Sequence, residues 1–420
     1  MRIVVSPHDL MIGGAQINAI DLAAEVVSLG HDVLVYARPG PLEPYITDEK
    51  RLRLVLADDM RYRPAPTRVW QLARLGREEK VDVIHAYEWP PCLDAYYGAH
   101  LFGRVPVVCT VLSMGFTPLV PSTVPLLIGT HQMADELRQT FPGRVGVMEP
   151  PIDTVKDNPG NDGRSFRAEH GVGDDEFLVV SVSRLAIDLK LDALVDAIDA
   201  VATLARSHPV RLVMVGDGPA AGDLRRRADA VNAALGRFVI ELPGATLDPR
   251  SAYAAADAVV GMGSSALRAM AHGKPVVVQG ERGFARLYDE ESAPLFGYTG
   301  FYGLGPGTSG GPLVVDALRT LIARPELRAK LGALGLRAVE ERYSLRAAAH
   351  QVCAVYEEAI RAPHRLLPAL KETIRTGARA VGIEIDNHRP STKLARRGKD
   401  AARLDATASP FGTPPTGARP

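Results

Sequence analysis

The chain has 420 residues, 46% hydrophobic and 23% charged, an ordinary globular composition too long for one core; at about 100 to 200 residues per domain it predicts two domains with extensions. Basic and acidic residues balance at 49 each, so no net charge recruits nucleic acid over long range, and a nucleic-acid partner is excluded as the default. Three cysteines, Cys92, Cys109 and Cys353, are too few and too scattered for a disulfide scaffold or a Cys-rich zinc module, and they fit the reducing cytoplasm.

The opening MRIVVSPHDL does not read as a secretion signal, and no apolar stretch approaches the ~20 residues that span a bilayer. Short apolar runs then alternate with segments of helical period: MRIVVSP, GGAQINAIDLAAEVVSLG, HDVLVYA, VDVIHAY, VPVVCTV, PLLIGT and HQMADELRQTF. Parallel strands joined by crossover helices produce this alternation. A second series follows: EFLVVSVSR, LKLDALVDAIDAVATLA, VRLVMVGDG, AAGDLRRRADAVNAAL, FVIELPG, DAVVGMG, SSALRAMAHG and KPVVVQG. The expected organisation is a Rossmann-like domain over 1–154, a Pro, Gly and Asp rich linker over 155–165, a second Rossmann-like domain over 166–345, a helix over 346–362 and a basic, largely disordered tail over 363–420. In that tail Leu366, Leu370, Ile374, Ala378 and Val381 fall near one face of a helix, with Arg365, Lys371, Arg375 and Arg379 around it. Such a pattern can lie on an anionic bilayer, but a solvated or domain-packed segment explains the same residues and is preferred.

In open α/β sheets ligands bind at the carboxyl ends of strands, so chemistry is sought in the loops that follow the apolar runs. Gly13 and Gly14 precede the first helix, where backbone N–H groups can approach a phosphate, although any tight turn uses such a pair. His85, Tyr87 and Glu88 follow VDVI and are candidates for acceptor contact. Arg184 ends EFLVVSVSR and Lys190 opens the next helix; two cations so placed can clamp a diphosphate and neutralise charge on a leaving phosphate. Gly263, Ser264 and Ser265 link DAVV to ALRAMAHG, where a serine is expected to cap the helix and the same N–H groups could hold a phosphate, and Gly283 lies in a tight turn after KPVVV; with Gly13 and Gly14 these four are the donor-binding candidates. No Asp-x-Asp stands at a strand end to hold a divalent metal, and Asp58-Asp59 reads as loop, so no metal site is assigned. Gly-x-Ser-x-Gly is absent as well, which argues against a nucleophilic hydrolase.

In order, these pieces resemble the family four nucleotide-sugar glycosyltransferases of the GT-B fold, from residue 1 to about 360: GGAQ and LGHDVLVYA, VDVIHAYEW, EPPIDT, SVSRLAIDLKLDALVDAI, LVMVGDGP, YAAADAVV and LRAMAHGKPVVV. The resemblance implies an α/β architecture of two doubly wound, Rossmann-like domains facing a cleft. It implies transfer of a sugar from a nucleotide diphosphate sugar to a hydroxyl on a small molecule, glycan or lipid-linked acceptor. Retention of anomeric configuration goes with it; no cofactor is expected, and no metal either, because no acidic cluster is placed to hold one. By the same resemblance Arg184 and Lys190 serve the donor diphosphate, with Gly14 facing it from the other domain.

The sequence departs from the family pattern in places. Where the family has a glutamate in Leu-Glu-Ala-Met-Ala stands Arg268, and eight residues earlier, where a second glutamate is usual, stands Val260. After VPVVCTV the chain reads Leu112-Ser113-Met114-Gly115 without the frequent histidine, so no base is assigned there. Arg268 favours the alternative of a catalytically inactive paralogue that binds nucleotide or glycan as a partner subunit.

Overall fold

A computed structural model describes residues 1–58, 64–113 and 119–388, the side chains of 383–388 excepted. Asp59, Met114, Gly115 and the tail 389–420, on which some expectations above fall, lie outside the described residues.

The first of two compact units carries seven strands: β1 (Arg2–Ser6), β2 (Asp32–Ala37), β3 (Arg53–Leu56), β4 (Val83–Tyr87), β5 (Val107–Val111), β6 (Leu126–Ile128) and β7 (Val145–Val147). They form one sheet in the order β3-β2-β1-β4-β5-β6-β7, and every pairing is parallel. Helices cover both faces of such a sheet, and its central strands therefore read as unbroken apolar runs. On one face Ile20 and Val26 of the helix Gly14–Ser28 share a core with Val352 and Tyr356 of the helix Leu345–Arg361. On the other, Leu72, Tyr96, Ala99 and Ala369 pack together.

The second unit has six strands: β8 (Phe177–Val182), β9 (Val210–Val215), β10 (Ile240–Gly244), β11 (Ala258–Gly261), β12 (Val276–Gln279) and β13 (Ala285–Leu287). Their order is β10-β9-β8-β11-β12-β13, parallel except for the antiparallel pair β12 and β13. Leu194 and Ile198 of the helix Leu191–Leu204 meet Val314 and Leu318 of the helix Gly311–Ala323 in its core.

Both sheets reverse strand order at their middle, between β1 and β4 and between β8 and β11, and a crevice opens beyond the carboxyl ends at such a point. The loops that leave β1, β4, β8 and β11 hold most of the candidate residues.

Two features differ from the expected organisation. The first unit comprises Met1–Asn158, Ala293–Phe301 and Leu336–Asp386, and the second is built on Pro159–Ser292 and Tyr302–Gly335. The chain thus returns to the first unit twice, because the apolar stripe of Leu345–Arg361 closes a sheet face begun more than 300 residues earlier. Secondly, much of the segment expected to be disordered is the helix Leu366–His388. Ala369, Glu372, Thr376 and Ala380 are its buried stripe, each at most 7% exposed. Glu372 accepts from the Ser122 N–H at 2.7 Å and Thr376 shares a 2.6 Å hydrogen bond with the Tyr97 hydroxyl. A docking face made of Ala, Glu and Thr gives no hydrophobic signal in sequence.

Candidate functional site

In the second unit, Ser183 and Arg184 follow β8, and the chain turns through Leu189, at φ +67°, to Lys190 at the N-cap of Leu191–Leu204. No side chain caps this helix. The turn is pinned to its neighbour by Ser183 N–H donating to Val215 O at 3.0 Å and Leu185 N–H to Asp217 O at 2.9 Å. Gly216 permits that approach, since a Cβ there would lie 1.8 Å from the Ser183 carbonyl oxygen. Arg184 is exposed, while Lys190 is half-buried and donates to Ser183 Oγ at 2.8 Å. Burial, and then the nearby Arg184 guanidinium, pull the Lys190 ammonium down to about 8. Two like charges and a helix N-terminus at one strand end make a place an anion would stabilise.

Beside it, β11 runs into Gly263, the N-cap of the helix Ser264–Ala271, at φ +56° and ψ −133°. That region of backbone space is nearly glycine's alone, and a Cβ would meet nothing within 4 Å, so the glycine answers to conformation and not to crowding. The expected serine cap is corrected: no side chain caps this helix, and Ser265 Oγ instead accepts from the Tyr253 hydroxyl at 3.1 Å. Ser264 opens the first turn. Arg268 sits in the last turn with its guanidinium 5.5 Å from the centre of the Tyr253 ring, and Val260 is fully buried inside β11.

Gly283 lies in the turn after β12. It has φ +78°, and a Cβ would lie 1.7 Å from Thr308 O and 2.8 Å from Gly310 N. Its lack of a side chain lets two loops pack against each other.

In the first unit Gly13, extended at φ −166°, is the N-cap of Gly14–Ser28, again with no side-chain cap. The preceding loop is organised by Asp9, which accepts from Gln16 Nε2 at 2.9 Å and Met11 N at 3.2 Å and pairs with Arg38 at 3.3 Å. At the other side of the strand-order reversal Glu88 leaves β4 at φ +71°. Its carboxylate accepts from the N–H groups of Leu112 and Ser113 at 3.1 and 3.0 Å and from Ser113 Oγ at 2.8 Å. Burial raises its pKa, against the pull of those three donors. The backbone strain and the convergent donors make it a held carboxylate at a sheet's carboxyl edge.

His85 and Tyr87, proposed beside it for acceptor contact, are not brought to that edge. His85 is 0% and Tyr87 4% exposed. The imidazole shares hydrogen bonds of 2.7 Å with Tyr356 Oη and Thr110 Oγ1, so both ring nitrogens are taken. In a strand buried on both faces, alternate residues all point into packed layers. Conversely, Ser183, Ser113 and Asp9, which hold candidate groups in place, were missed by sequence reasoning, since a single serine or aspartate after a strand carries no signal. The first unit also has a small cavity at the ends of β1 and β2, lined by Ser6, His8, Arg38 and the buried Arg68–Asp94 pair at 3.2 Å. Among the described residues no three His, Cys, Asp or Glu side chains are gathered to hold a metal ion.

Comparison with known proteins matches the model "Glycosyltransferase Family 4" to residues 12–123 and "Glycosyl transferases group 1" to residues 176–299, together more than half of the chain. The chain belongs to the family four glycosyltransferases of the GT-B fold and is a nucleotide-sugar-dependent glycosyltransferase. Among solved structures, a glycosyltransferase from Rickettsia africae is similar at 14% identity and a TM-score of 0.68, over 86% of this chain and 99% of that one. Anabaena Alr3699/HepE in complex with UDP-glucose is similar at 18% and 0.67, over 85% and 100%. Sucrose-phosphate synthase from Thermosynechococcus elongatus is similar at 18% and 0.65, over 86% and 100%. No curated protein matches.

Proposed function

We propose that this enzyme moves a sugar from a nucleotide diphosphate sugar to a hydroxyl of a small-molecule, glycan or lipid-linked acceptor, with retention of anomeric configuration and without a metal. The pairing of Arg184 and Lys190 at the strand-order reversal of the second unit carries the reading. The bond between the anomeric carbon and the phosphate oxygen breaks, its electron pair leaves with the nucleoside diphosphate, and the two cations stabilise that charge. The acceptor oxygen then bonds the anomeric carbon while its proton passes to the leaving phosphate. The helix start at Gly263 and Ser264 adds backbone N–H groups for the donor, and Gly13 and Gly14 offer a comparable loop in the first unit. Glu88 holds the acceptor hydroxyl. The bound UDP-glucose of the HepE structure supports a uridine donor as the first to try. Three free, buried cysteines agree with a cytoplasmic setting.

Arg268 favours the second reading, an inactive paralogue acting as a partner subunit, because it puts a cation where the family has a carboxylate. Release of nucleoside diphosphate from a panel of UDP-, GDP- and dTDP-sugars, offered with simple glycosides as acceptors, decides between them. Release that depends on acceptor and persists in EDTA supports the transferase reading. Tight nucleotide binding with no release from any donor supports the second. Proton couplings at the new anomeric centre test retention.

A further inference from the structure

In the second unit β8, β11 and β12 end side by side. Arg184 and Lys190 follow the first and the helix start at Gly263 follows the second. Glu281 follows the third. In the parallel register Gly261 lies opposite Val278, so Ser264 and Glu281 each come three residues later, past the carboxyl edge of the sheet. The end of β12 is also tied to the helix that Lys190 opens. Gln279, its last residue, is buried and donates from Nε2 to Ala193 O, in the first turn of Leu191–Leu204, at 2.8 Å. The loop 302–310 joins the two a second time. Glu281 N–H donates to Gly303 O at 3.0 Å, Gly305 N–H to Glu281 O at 2.9 Å and Gly307 N–H to Arg282 O at 3.0 Å. At the far end of that loop Ser309 Oγ and Gly310 N–H donate to Asp196, on the same helix, at 2.7 and 3.0 Å. The backbones approach so closely that a Cβ at Gly280 would lie 2.0 Å from Gly303 O. Both main-chain groups of Glu281 are thus engaged, and its place is fixed relative to the first two turns of the Lys190 helix. Its carboxylate is half-buried and accepts from the Tyr302 hydroxyl at 2.5 Å. Burial, and then that carboxylate, raise the Tyr302 pKa, so the hydroxyl stays a donor.

We propose that Glu281 accepts hydrogen bonds from ring hydroxyls of the donor sugar, with Tyr302 as its positioning residue, and that the donor is a nucleotide-linked neutral hexose. A carboxylate offers about four lone-pair sites, so a tyrosine can orient it and leave capacity for hydroxyl donors. On the reading of Arg184 and Lys190 as the diphosphate site, on which this assignment rests, the distances fit. Neighbouring strands lie about 4.8 Å apart, which puts the edge of β12 roughly 10 Å from that of β8, the scale of a phosphate followed by a pyranose ring. Cations, then backbone N–H groups, then a carboxylate match in order an anionic diphosphate and a ring whose O–H groups donate. A hexuronate would bring its own carboxylate toward Glu281 and is rejected by like charge.

The test is calorimetry on the full-length protein with three matched pairs: UDP and UDP-glucose, GDP and GDP-mannose, dTDP and dTDP-glucose. Glu281→Gln keeps the backbone bonds to Gly303 and Gly305 and an oxygen for Tyr302, so it should melt like the parent. For the pair that binds, it should weaken the hexose conjugate about tenfold, the difference between a charge-assisted and a neutral hydrogen bond, and leave the nucleoside diphosphate unchanged. Tyr302→Phe should shift the same ratio in the same direction by less. Arg184→Ala should instead weaken both members of the pair. Equal loss of both ligands in Glu281→Gln, loss of neither, or tighter binding of UDP-glucuronate than of UDP-glucose by the parent would each overturn the proposal, while Arg184→Ala still reports separately on the diphosphate site. A parent that binds none of these ligands would take the diphosphate reading down with it.

Discussion

His85 and Tyr356 share a 2.7 Å hydrogen bond across 271 positions of sequence, joining the middle of β4 to the helix Leu345–Arg361. With Thr110 on the other ring nitrogen the imidazole is fully buried and its pKa is pushed down to about 3 by desolvation. His85 is therefore neutral and acts as a strut. Replacing it with Leu strands two buried hydroxyls and should cost about 1–3 kcal/mol, lowering the unfolding temperature while kcat at permissive temperature stays as in the parent. A selective loss of kcat would return His85 to the active site.

The same group makes a pH prediction. Unfolded, His85 takes up a proton below its ordinary value of 6.5, whereas folded it resists protonation down to about 3. The unfolded state binds more protons in that window, so stability falls as pH drops from 6.5 toward 3. Denaturant titrations at a series of pH values should show a shallower decline for His85→Leu than for the parent.

Lys190 should impose the opposite kind of dependence on donor binding. Held near pKa 8 in the empty protein, it is charged at neutral pH and loses its proton above. Affinity for a nucleoside diphosphate should fall as pH rises through 8, and Lys190→Arg should flatten that fall. Removing either Arg184 or Lys190 to Ala should weaken binding tenfold or more, as a charge-assisted contact is worth about 1.5–3 kcal/mol. Calorimetry showing unchanged affinity for both variants would remove them from the site.

Glu88→Gln keeps the shape and an oxygen for the Leu112 and Ser113 N–H groups but removes the charge and puts an NH2 where an oxygen accepted from the Ser113 hydroxyl. The expected result is a rise in acceptor KM and a fall in kcat with donor affinity preserved. If donor affinity falls equally, Glu88 supports the fold of the edge and not the acceptor.

Gly263 and Gly283 should respond differently to alanine. At Gly263 the space is open and only backbone conformation opposes a side chain, so Gly263→Ala should fold with a loss of about 1–3 kcal/mol and weaker donor binding. At Gly283 the new methyl group would collide with the Thr308 carbonyl, so Gly283→Ala should express as misfolded or strongly destabilised protein. Thermal melts of the two variants make the comparison.

The alternation of apolar runs and helical segments was enough to define two doubly wound units, because a strand buried on both faces must be apolar throughout and each crossover needs a helix. The positions of Arg184, Lys190 and Glu88 next to strand ends follow from the same alternation, and their roles there are proposals. What sequence could not supply was partnership. His85 reads as a strand-end histidine until Tyr356, from a helix far along the chain, is seen to occupy its nitrogen. Gly283 reads as an ordinary turn glycine, and only the fold shows that a second loop brings Thr308 O within 1.7 Å of the position of its missing Cβ. The segment after residue 363 reads as a tail because its docking stripe is Ala, Glu and Thr, whose burial rests on hydrogen bonds to Ser122 and Tyr97 and not on hydrophobicity. Local pattern determines which elements form; which polar groups are consumed in holding them together depends on contacts between distant residues, and those exist only in the folded chain.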